Sequence, residues 1–145
     1  MVITDKLKRI ETLDINRIIN DSLKEIENFI LELNRDQLYE KGEIDVTRPG
    51  LKEHYAEGTI RQKKKKAKFK KTEFVTLRWE GNFYESFELL IFKEKFIIQA
   101  KDLKWSNWLE PNPRFGKALG LTEESKAMLR DKIRPIIIQR IKDGL

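Results

Sequence analysis

The chain contains no cysteine and only one histidine, His54, in 145 residues. Disulfides and thiolate chemistry are excluded, a histidine-based metal cluster cannot form within one chain, and no catalytic arrangement needing two histidines can be built. Long apolar runs are also missing. Phe87–Phe92, interrupted by Glu88, and Pro135–Ile138 fall far short of the roughly 20 residues that span a bilayer. With no secretory signal pattern, a soluble protein, intracellular at synthesis and without membrane contact, is expected. No glycine-rich phosphate loop or nucleophile motif occurs, so neither a cofactor, a metal nor a catalytic residue is expected.

Acids are absent from one place in particular. Thr59–Thr72 (TIRQKKKKAKFKKT) holds eight basic residues, Arg61, Lys63, Lys64, Lys65, Lys66, Lys68, Lys70 and Lys71, and no Asp or Glu. The formal net charge is +6, so everything outside this stretch sums to about −2. Adjacent like charges repel, and apart from Ile60 and Phe69 the run lacks apolar residues at helical spacing. The segment is therefore expected to be an exposed, mobile loop or arm over about residues 59–72.

Charged residues (37%) nearly equal hydrophobic ones (39%), but Leu, Ile, Phe and Trp are clustered and periodic, as in a folded chain with a modest core. One domain over residues 1–145 is expected. Ile15, Ile19, Leu23, Ile26, Ile30 and Leu33 recur every three or four residues, which predicts one long helix with Asp14 as its N-cap and Gly42 as its stop. A short helix over Thr4–Glu11 is a further reading of the N-terminus. Glu43–Gly50 reads as a loop or short strand, Phe74–Arg78 as a strand, and Phe83, Tyr84 and Phe87 lie at helical spacing about a turn. Phe87–Phe92 and Phe96–Ala100, separated by three polar residues, predict a hairpin. Lys101–Gly120 reads as an extended, ordered loop. Thr122–Ser125 then caps a last helix whose apolar face runs through Met128, Leu129, Ile133, Ile136, Ile137 and Ile141, kinked or broken in two at Pro135. The fold class is α+β: a long N-terminal helix, a small antiparallel sheet with a hairpin, and a C-terminal helix.

The basic segment suits phosphate neutralisation by point charges, with Phe69 able to stack on an exposed base. Contact with an acidic protein partner, or a loop that only keeps the chain soluble, fits the same composition. Asp36, Glu40, Glu43 and Asp45 alternate with Arg35 and Lys41 and read as a solvated face before a cation site. His54, beside Glu53 and Tyr55, has no nucleophile motif near it in sequence. Of the aromatics, Trp79, Phe83, Tyr84 and Phe87 suit a core, whereas Trp105 and Trp108, being in a loop, are the interface candidates.

Three segments, YAEGTIRQKKKK (Tyr55–Lys66), VTLRWEGNFYESF (Val75–Phe87) and ALGLTEESKAML (Ala118–Leu129), resemble prophage-encoded morphogenesis proteins of Bacteroidetes-type genomes. These look like relatives of the tail-completion and minor tail proteins of long-tailed phages. The likeness covers roughly residues 35–130, and its most specific part is Val75–Phe87. Glu80 stands where that family usually has Thr, and the Trp- and Pro-bearing loop from Lys104 to Phe115 departs from its pattern. The resemblance implies a virion structural protein, a head–tail connector or tail-completion subunit assembled in the bacterial cytoplasm. It would pack as a ring of identical copies against other neck or tail proteins, with the basic arm on DNA or on a neighbouring subunit. The alternative is a non-catalytic nucleic-acid-binding module that uses the Lys-rich arm.

Overall fold

The computed structural model describes residues 14–93 and 95–145, so the short helix expected over Thr4–Glu11 lies outside the described residues. In chain order the elements are α1 (Ile15–Glu25), α2 (Glu27–Tyr39), α3 (Glu57–Lys66), α4 (Asn82–Glu85), β1 (Phe87–Ile91), β2 (Phe96–Ala100), a single π-helical turn (Trp105–Leu109) and α5 (Glu123–Asp143). The fold is α+β, as its sequence pattern indicates.

Asp14 caps α1, its Oδ1 accepting from the Arg17 amide at 3.1 Å. The long helix expected from the apolar stripe is two helices, interrupted at Ile26 (φ −108°, ψ 24°). One turn earlier the buried Ser22 hydroxyl donates to the Ile18 carbonyl at 2.7 Å, the i−4 back-bonding that bends helices. The stripe survives the bend: Leu23, Ile26, Ile30 and Leu33 are all buried. Gly42 follows α2 in the left-handed region (φ +66°), and a Cβ there would lie 2.5 Å from the Phe74 ring. Only glycine permits both the turn and that approach.

The hairpin forms in the predicted place, with Phe87 opposite Ala100 and Ile91 opposite Phe96. Alternation puts Phe87, Leu89, Ile91, Phe96, Ile98 and Ala100 against the core, where α1 and α2 pack on β1 and α5 packs on both of those helices. Burying each large side chain here is worth about 1.5–3 kcal/mol. Asn34 and Gln37, polar but buried, fasten α2 to the strap before α5. Asn34 donates to the Ala118 carbonyl (3.0 Å) and accepts from the Gly120 amide (2.8 Å). Gln37 does the same with the Gly120 carbonyl (2.9 Å) and the Thr122 amide (3.0 Å).

Two expectations are corrected. Phe74–Arg78 is not a strand, because side chains and an isolated loop carbonyl, not a neighbouring strand, take its backbone groups. Val75 N donates to the Glu53 carbonyl (2.8 Å) and Thr76 N to the Tyr55 hydroxyl (3.1 Å), and Leu77 turns to φ +59°. Helix α5 is not broken at Pro135. Asp131 and Pro135 lie on its exposed side, where a carbonyl left without a donor costs little.

Candidate nucleic-acid interface and aromatic cleft

The basic segment is not a mobile arm: Glu57–Lys66 is helix α3, and the residues after it are tied down. Lysine has good helix propensity, and Lys63–Lys66 occupy the last turn, where cations offset the macrodipole. The inner face of α3 runs through Ile60, Lys63 and Ala67 at helical spacing. Lys63 is fully buried and takes the place an apolar residue would hold, its stem packed inside. Its ammonium donates to the Lys71 carbonyl and to Thr76 Oγ1 (3.3 Å), and sits 5.1 Å from the Tyr55 ring centre. Burial pushes its pKa below the ordinary lysine range; the phenol of Tyr55 works against that shift and the Lys71 cation with it.

Thr76 is the hub. It receives the Lys63 ammonium, pairs with the Tyr55 hydroxyl, and its carbonyl accepts from the buried Tyr84 hydroxyl. Burial drives the Tyr84 phenol pKa upward. Lys71 also turns inward, donating to the Tyr39 carbonyl at 2.8 Å and lying 4.6 Å from the Phe74 ring centre. Lys70 donates to the Lys64 carbonyl at 2.9 Å. Arg61, Lys64, Lys65, Lys66 and Lys68 remain exposed, and none has an ion-pair partner among the described residues. These five, with Lys70, which is also exposed and whose carbonyl bond leaves its charge in place, are the outward charge.

Phe69 is not free to stack on a base. The Arg78 guanidinium covers its ring at 3.8 Å and also faces Tyr39 (4.9 Å) and Tyr84 (4.7 Å). The Phe69 edge packs on Gly81, where a Cβ would come within 2.9 Å. The two loop tryptophans separate. Trp105 is only 7% exposed and stacks on Phe83 at 5.8 Å, so it belongs to the core and not to an interface. Trp108 is 73% exposed. The π-helical turn, closed by the Glu110 amide on the Trp105 carbonyl at 2.8 Å, widens the spiral and takes Trp108 off the inner face.

Trp108 borders a cleft of about 390 Å³. Leu77, Trp79 and Phe83 form one wall, Leu109 another, and Tyr55 and Thr59 connect it to the start of α3. Arg78 also lines it and keeps a buried Nε without a hydrogen-bond partner. Sequence singles out Trp108 as an interface candidate but not the cleft, because Trp79 and Trp108 are 29 positions apart and local pattern relates neither to α3.

The other candidates disperse. Asp45 accepts from the Thr47 amide (2.9 Å) and hydroxyl and from Arg48 (3.0 Å). Burial alone would raise its pKa, but those donors more than offset it and the net shift is downward. Asp36 moves upward, chiefly through burial, with Glu32 and Glu40 adding to it. Among the described residues no group of three or more His, Asp and Glu is arranged to hold a metal, and no helix is long and apolar enough to cross a membrane. His54 is exposed and meets only the Glu73 carbonyl, at 3.3 Å. Compared with protein-family models, curated proteins and solved structures, the chain matches none.

Proposed function

We propose that this chain is a non-catalytic subunit of a phage neck or tail assembly, working by binding and packing, with α3 as its nucleic-acid-facing element. One convergence supports the reading. Tyr55, Lys63, Thr76 and Tyr84, drawn from two of the segments that carry the family resemblance, meet around one junction, and the helix fixed there carries Arg61, Lys64, Lys65 and Lys66, with Lys68 just beyond its end. Such a motif is a scaffold for a charged face. An apolar groove between α1, α5 and the hairpin end, lined by Ile19, Phe92, Leu129, Ile133 and Ile137, suits burial against a neighbouring copy. Further copies in a ring and other neck or tail proteins are the partners this reading implies, and the virion is its location.

The second reading, a stand-alone nucleic-acid-binding module, is favoured by the same five cations taken alone. Light scattering over a wide concentration range, with and without duplex DNA, separates the two. Assembly into a defined oligomer supports the subunit. A protein that stays monomeric under all these conditions while binding duplex supports the module. Failure to bind either duplex or single strand at low salt removes nucleic acid from both.

A further inference from the structure

We infer that the cleft beside α3 holds an unpaired nucleobase of a single strand whose neighbouring phosphates lie on the α3 cations. The inference rests on the reading that α3 faces nucleic acid. Its volume, about 390 Å³, falls in the range of small-molecule sites, and its walls are apolar and aromatic. Trp79 and Trp108 supply flat faces of the kind on which bases stack irrespective of sequence. Glu80, Asn82, Asp102 and Lys104 also line it, giving acceptors and donors for the carbonyl and amino edges of a base. An aliphatic side chain from another protein would strip water from those groups and return nothing.

Two features mark the cleft as built for an occupant. Trp108, on its border, leaves most of its indole in water. Leu77, in the wall, holds a left-handed backbone conformation that costs a bulky residue about 1–3 kcal/mol. Thr59 belongs both to the cleft and to the first turn of α3, so a strand leaving the cleft along the helix reaches Arg61 and then the lysines of its last turn. The base-stacking role that the sequence suggested for Phe69 passes to Trp108, because Arg78 occupies the Phe69 ring.

The test compares three labelled probes by fluorescence anisotropy: a thymidine single strand of about 12 nucleotides, an abasic strand of the same length, and a duplex. The thymidine strand should quench tryptophan emission and the abasic strand should not. W108A, whose side chain is outside the core, should lose about tenfold or more in affinity for the thymidine strand and nothing for the abasic strand or duplex. Circular dichroism checks that its fold is unchanged. Equal affinity of W108A and the parent for the thymidine strand overturns the inference while leaving α3 as a phosphate-binding face. Loss of self-association in W108A with strand binding unchanged also overturns it, assigning the cleft to a second copy. A parent protein that binds none of the three probes overturns both the α3 reading and the cleft.

Discussion

Lys63 stands where helix α3 would ordinarily place an apolar side chain, and it is held by a carbonyl, a hydroxyl and a ring face, with no carboxylate in its set of partners. Because its folded pKa is lowered, the unfolded chain binds more protons between that value and the ordinary one, about 10.4. This group's contribution to stability therefore rises with pH through that window. K63M keeps the stem without the charge, and urea unfolding across an alkaline pH series should show the variant lacking this part of the parent's rise. Asp45 follows the same sign in the acid range. Its pKa is lowered on folding, so its contribution is present above about 3.9 and is lost as pH falls through the folded value. D45N should be less stable than the parent at neutral pH, and the difference should shrink on acidification.

At the scale of elements, the Asn34 and Gln37 amides bind a strap that has no strand or helix of its own before α5. N34L leaves the Ala118 carbonyl and the Gly120 amide without partners, at about 1–3 kcal/mol each. A loss of roughly 2–5 kcal/mol in urea unfolding is expected, with the helical content of the remaining folded protein unchanged. Helix α3 shows why a charge run is a poor guide to disorder. Consecutive lysines point in different directions around a helix, the last-turn position favours them, and one buried stem anchors the whole element.

For the whole molecule, the sum of charge is less informative than where it is free. Of the basic residues between Thr59 and Thr72, Lys63 and Lys71 are spent on internal carbonyls and rings, whereas Lys70 stays at the surface beside the Lys64 carbonyl. If the remaining cations meet duplex phosphates, log–log salt dependence of binding should weaken by about 0.9 per lysine removed. K64A/K65A should therefore reduce the slope by roughly 1.8 while moving folding stability by less than about 0.5 kcal/mol. A slope unchanged in this double variant would refute α3 as the phosphate-binding face.

What the sequence determined by itself is local. The Asp14 and Thr122 caps, the Gly42 turn and the hairpin each depend on residues within a few positions of one another, so propensity and periodicity carry them. The bend at Ile26 is local too, but its signal is a single buried serine within an unbroken apolar stripe. Tertiary structure decided the rest. Phe74–Arg78 has strand composition, yet Glu53, Tyr55 and Tyr84 take its backbone groups, so no ladder forms. Trp105 and Trp108, alike in sequence context, are parted by the width of one helical turn, one into the core and one onto the cleft. Which lysines are free was likewise fixed only when α3 folded against Thr76. The charge run specified a quantity of positive charge, and packing chose which of it faces outward.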